Sequence, residues 1–74
     1  MMHTMDLDSK SRWQYLEYET GYERLHPKRE ILDYMAHQGW HYREHWGCDI
    51  GPFGDYTLWF STDEIWVAFQ LRWG

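Results

Sequence analysis

Two alternating runs toward the C-terminal end dominate the hydrophobic pattern of the chain. In DYTLWFSTDEIWVAFQLRW two apolar-rich runs on either side of Thr62 and Asp63 read as alternating strands joined by a turn, with apolar pairs on both sides. With that turn, Phe60 faces Ile65, Leu58 faces Val67 and Tyr56 faces Phe69 on one side, while Trp59 faces Trp66 and Thr57 faces Ala68 on the other. A four-residue loop of Ser61 to Glu64 keeps the same pairing outside it. Upstream, PKREILDYMAHQG changes period. Ile31, Leu32, Met35 and Ala36 recur at three- and four-residue intervals and paint one stripe along a helix, with Lys28, Arg29, Asp33 and His37 facing water. Pro27 suits the first helical position and Gly39 the stop, so the helix is placed over 27–38.

The remaining segments follow from these anchors. WQYLEYE, 13–19, reads as a first strand with Trp13, Tyr15, Glu17 and Glu19 on one side, and Gly21 allows a turn after it. WHYREHW, 40–46, alternates Trp40, Tyr42, Glu44 and Trp46 against His41, Arg43 and His45, and is predicted as a strand. GCDIGPFG, 47–54, is a Gly- and Pro-rich loop, and residues 1–11, without periodicity, are expected to form a flexible arm. The sum is an α+β domain over 12–74: two layers, β-α-β-β-β, one helix on a four-stranded, mainly antiparallel sheet. A right-handed crossover from the first strand to the second would place the last strand between them. The helix stripe would cover the side holding Leu58, Phe60, Val67, Phe69 and Leu71.

Composition changes that picture in one respect. Six Trp, six Tyr and three Phe in 74 residues exceed what so small a core encloses, since each ring can bury roughly 150 to 250 Å². Some aromatics must lie outside, and exposed aromatic patches mark interfaces. The hairpin side opposite the helix, carrying Trp59 and Trp66 with Ala68, Gln70 and Arg72, is the expected docking surface, and a second copy related by a two-fold axis its expected occupant.

Charge narrows the partner. Twelve Asp and Glu against seven Lys and Arg give a formal net charge of −5, which argues against direct nucleic-acid binding and for a basic or apolar protein partner, or for solubility alone. Glu17 and Glu19, about 6.8 Å apart on one strand side, would contribute to acidic mimicry of a phosphate chain or form a solvated edge. One cysteine excludes an internal disulfide and points to a reducing, cytoplasmic setting; the N-terminal stretch lacks a signal-peptide core, and no segment is apolar enough to span a membrane.

Candidate chemistry gathers in HQGWHYREHWG. His37, His41 and His45 are spaced by four and would share a helical face, but Gly39 ends the helix before it reaches them. In a strand His41 and His45 stand about 13 Å apart, too far for one ion held at about 2.0 to 2.1 Å. No cofactor is therefore expected, and the alternative is a metal- or small-molecule-binding domain using the His41, Arg43 and His45 row with Cys48 nearby. The glycines of 47–54 do not match a phosphate-binding loop.

With Trp13-Gln14-Tyr15, Gln38-Gly39-Trp40 and Phe69-Gln70-Leu71-Arg72 in place, the chain resembles a family of small bacterial domains of unknown function. These open on a Trp-x-Tyr strand, run through an amphipathic helix to a Gly-Trp-Glu step and close on an apolar strand ending in a basic residue. Here His41 stands where that step has Glu, and the hairpin adds a strand. The resemblance brings no catalytic residues. In size, acidity and lack of a catalytic constellation the chain also looks like the inhibitors that phages use against host machinery, anti-CRISPR proteins among them. That likeness implies a non-enzymatic protein that binds a host nucleoprotein complex and blocks its nucleic-acid binding.

Overall fold

The computed structural model describes residues 2–19, 21 and 24–74. Residues 3–7, part of the expected arm, form strand β1 (His3–Leu7); Met1 lies outside the described residues. The segment HTMDL does alternate, with Thr4 and Asp6 exposed and Leu7 buried, but Met5 and Leu7 alone are too few apolar positions to declare a period. Asp8 then caps helix α1 (Ser9–Tyr15). Its carboxylate accepts from the Lys10 and Ser11 amides at 2.9 and 2.8 Å, and the Ser11 hydroxyl accepts from the Asp8 amide at 3.0 Å, a reciprocal capping box. The predicted strand over 13–19 is thus helical through Tyr15. Only Leu16–Tyr18 is strand, β2, which pairs antiparallel with β3 (Leu25–Pro27), placing Leu16 opposite Pro27 and Tyr18 opposite Leu25.

Helix α2 (Arg29–His37) lies where the amphipathic stripe puts it, with Ile31 and Met35 fully buried. Pro27 closes β3 instead of opening the helix. The predicted stop is the observed one. Gly39 takes φ 87°, its amide donates to Ala36, and the Trp40 amide reaches back to Met35, a Schellman closure in which glycine avoids the penalty of a Cβ.

Two further assignments change. Residues 41–45 form a tight turn, not a strand: the His45 amide donates to the His41 carbonyl at 2.9 Å, and Arg43 sits in the left-handed region at φ 74°. Strand β4 (Trp46–Ile50) takes in the first half of the expected loop, and residues 51–55 connect it to β5 (Tyr56–Phe60). The last segment is helix α3 (Asp63–Trp73), so the hairpin pairs Phe60–Ile65, Leu58–Val67, Tyr56–Phe69, Trp59–Trp66 and Thr57–Ala68 do not form. Thr62 caps this helix, its hydroxyl accepting from the Ile65 amide at 3.3 Å, and Asp63 and Glu64 complement the dipole in its first turn. Apolar residues almost all round α3 make its period ambiguous by hydrophobicity alone.

The class is α+β; among the described residues there are three helices, a three-stranded antiparallel sheet in the order β1-β5-β4 and the separate β2-β3 ribbon, in place of one helix on four strands. β5 is central, and its Leu58 and Phe60, with Leu7 and Trp46 from its neighbours, pack against Tyr15, Ile31, Met35, Ile65 and Phe69 from the helices. Tyr15 and Phe69 meet with ring centroids 5.4 Å apart, and Phe60 and Phe69 at 4.9 Å. Among the described residues no helix is long and apolar enough to cross a membrane.

The chain's N-terminal part is tied down by two aspartates. His3 Nε2 hydrogen-bonds the Asp63 carboxylate, and the His3 ring stacks on Trp66 at 5.4 Å. The His3 bond and charge hold Asp63 below its ordinary 3.8; the Ser11 amide, then the Ser11 hydroxyl and the Lys10 amide, do the same for Asp8. A carboxyl with a depressed folded-state pKa contributes stability above its unfolded pKa and loses it as pH falls through the folded value. Thermal melts are therefore expected to fall as pH drops below 3.8, and Asp8→Ala and Asp63→Asn to flatten that slope. An unchanged acid slope in both variants would contradict these two bonds.

Candidate functional site

A groove of about 1060 Å³ lies between the β2-β3 ribbon, the first turn of α2 and the turn leading into β4. One wall is Glu17, Tyr18, Glu19, Arg24, Leu25 and His26; Arg29 and Leu32 of α2 form the base; Tyr42, Arg43, Cys48, Asp49 and Ile50 form the other wall. Each wall is held by a specific local device. Lys28 offers no side-chain cap to α2, and Glu17 supplies one from the neighbouring strand, accepting from the Arg29 amide at 3.2 Å. Glu19 pairs with Arg24 at 3.6 Å.

Across the groove, the left-handed Arg43 turns its guanidinium back onto β4, donating to the Cys48 carbonyl at 3.0 Å and the Asp49 carboxylate at 2.9 Å. Tyr42 stands edge-on to the buried Trp46 ring at 5.2 Å, and Trp46 Nε1 donates to the Trp40 carbonyl. Burial first, then the charge of the neighbouring Cys48, places the Tyr42 hydroxyl above its ordinary pKa against a counter-effect from Arg43.

Apolar surface collects at the same place. Tyr18, Tyr42 and Ile50 line the groove while exposed, Tyr18 at 61% and Ile50 at 53%, and exposed Trp13 packs beside Tyr18 with centroids 5.8 Å apart. Three arginines and three carboxylates stand among them. The site is an amphipathic trough in a chain that is otherwise acidic.

Cys48 lies half-buried in the β4 wall. Burial, and then the Asp49 charge, push its thiol up to about 11 against a partial counter-effect from Arg43. The nucleophile is the thiolate, so this cysteine is expected to alkylate about a hundredfold more slowly at neutral pH than an unperturbed thiol. Iodoacetamide labelling followed by mass spectrometry checks it; labelling at the rate of free cysteine would contradict the buried geometry.

The residues expected to form one docking surface are dispersed. Phe60 points into the core, so Trp59, its neighbour along β5, points to the opposite sheet face, where its indole lies over Gly47: a Cβ on that glycine would meet Trp59 at 2.8 Å. Trp66 lies on the core side, against Phe60 and His3. Ala68 is half-buried, Gln70 reaches Met5 (Nε2 to Sδ 4.0 Å), and exposed Arg72 lies over Tyr34 and Trp73. The helical turn of α3 separates what a strand would have aligned. Glu17 and Glu19 do lie in the groove, both already engaged.

The His41, Arg43 and His45 row is likewise not a row. The turn brings the two imidazoles to 5.7 Å between centroids instead of about 13 Å, but His45 Nδ1 accepts the His41 amide and Arg43 is directed at β4. Among the described residues no three His, Cys, Asp or Glu side chains are grouped to hold a metal ion. Tyr18, Arg29, Tyr42 and Ile50 are absent from the expected surface because the ribbon that faces them toward each other has three-residue strands, too short for periodicity to announce.

No family model matches the chain, and no curated protein or solved structure matches it.

Proposed function

We propose that the chain is a non-enzymatic protein-interaction module that docks its partner in the groove between the β2-β3 ribbon and β4. One observation carries this reading: exposed Tyr18, Tyr42 and Ile50 converge with Arg24, Arg29 and Arg43 on a single concavity, with exposed Trp13 packed beside Tyr18. Aromatic and arginine side chains dominate binding hot spots, and exposed apolar surface rimmed by polar groups favours a macromolecular partner.

The acidity of the whole chain supports a more specific form of the proposal, a phage-type, anti-CRISPR-like inhibitor that occupies a host nucleoprotein complex and blocks its nucleic-acid binding. The engagement of Glu17 by Arg29 and Glu19 by Arg24 shifts the weight of recognition from acidic mimicry to the aromatic groove. Adding the purified chain to guide-loaded CRISPR effector complexes should release labelled target DNA, read by fluorescence anisotropy, with only shallow salt dependence of the inhibition constant. A steep salt dependence would restore charge mimicry as the main contribution. DNA binding unaffected across the effector classes would remove the inhibitor reading.

A further inference from the structure

The two edges of the three-stranded sheet are finished differently. The Ser61 amide donates to the His45 carbonyl, and the β4-β5 register pairs Trp46 with Phe60, so Ser61, Trp59 and Thr57 direct their main-chain groups to β4 while Phe60, Leu58 and Tyr56 direct theirs to β1. Trp46 and Cys48 therefore turn their carbonyls to the outer edge of β4. Both are taken there, by the Arg43 amide at 2.7 Å and the Arg43 guanidinium at 3.0 Å. That edge is occupied from within the chain at these two carbonyls.

The β1 edge is not. By the same phase His3, Met5 and Leu7 bond β5, and the amides and carbonyls of Thr4 and Asp6 point outward, with no main-chain partner among the described residues. Both residues are exposed. A row of this kind is a template for another strand.

We propose that β1 pairs antiparallel with β1 of a second copy across a two-fold axis at Met5. Outward-bonding residues must pair with one another, which leaves three registers. Thr4 opposite Thr4 or Asp6 opposite Asp6 shortens the overlap, and the second sets like charges face to face. Thr4 opposite the partner copy's Asp6 uses all five residues and places a hydroxyl beside each carboxylate, the chemistry Asp6 already shows with the Thr57 hydroxyl at 3.0 Å. The product is a continuous six-stranded sheet, β4-β5-β1 followed by its two-fold mate. β1 lies across β5 from the groove wall on β4, so pairing leaves both grooves open and makes the module bivalent.

Sedimentation and amide hydrogen exchange of the full chain test this together. The expected mass rises with protein concentration toward twice the 9.2 kDa of one chain by about 1 mM. Thr4→Pro, which removes an amide facing away from β5, should give the single-chain mass with unchanged helical circular dichroism. In the unaltered chain the Thr4 and Asp6 amides should gain exchange protection with concentration, while those of Met5 and Leu7 are protected throughout. A single-chain mass over that range, fast exchange of Thr4 and Asp6 at every concentration, or a folded Thr4→Pro variant that stays dimeric would each overturn the proposal.

Discussion

Phe69→Ala is expected to lower stability by about 3 to 5 kcal/mol, whereas Leu71→Ser, two residues on, should leave it within roughly 0.5 kcal/mol of the parent. Phe69 is fully buried and touches Tyr15, Phe60 and Trp73, one ring from each of α1 and β5 and one from its own helix. Removing a buried phenyl ring costs about 3 to 5 kcal/mol through lost transfer energy and the cavity left behind. A chain of this length has roughly 4 to 11 kcal/mol in total. Leu71 is 84% exposed, on the far side of α3. A strand over the same residues would place Phe69 and Leu71 on one side, so equal losses in urea denaturation would mean that the segment is not helical.

The second large effect falls on binding. Tyr18→Ala is expected to weaken partner binding by about 2 kcal/mol or more, roughly thirtyfold, with little change in melting temperature. Tyr18 presents most of its ring at the groove and is supported from beside by Trp13, so its loss removes contact area without opening the core. Trp59→Ser on the opposite sheet face should leave affinity unaltered. Isothermal titration of both variants against the same target separates the two surfaces.

How much of this was legible in the sequence depends on segment length and on whether apolarity is confined to one face. α2 was legible because its stripe and its glycine stop agree, and β5 because Leu58 and Phe60 alternate with outward residues. α3 was misread because Trp66, Val67, Ala68 and Leu71 surround Ile65 and Phe69 with more apolar surface, which satisfies a period of two as easily as 3.6. The signal that decides it is polar: Thr62 followed by Asp63 and Glu64 is a helix start. The same kind of signal, Asp8 with Ser11, marks α1. Arg43 in the left-handed region, which turns 41–45 and brings His41 to His45, has no sequence signature, since glycine or asparagine is the residue expected there. The groove inherits that difficulty, being assembled from a short ribbon, a helix start and this turn.

The most direct measurement is a two-dimensional amide spectrum of the isotopically labelled chain, titrated with an effector complex that it inhibits. Shifts and broadening confined to Tyr18, Arg29, Tyr42 and Ile50 and their neighbours are the predicted result; changes centred on Trp59, Thr57 and Gly47, with the groove resonances unmoved, would contradict docking in the groove.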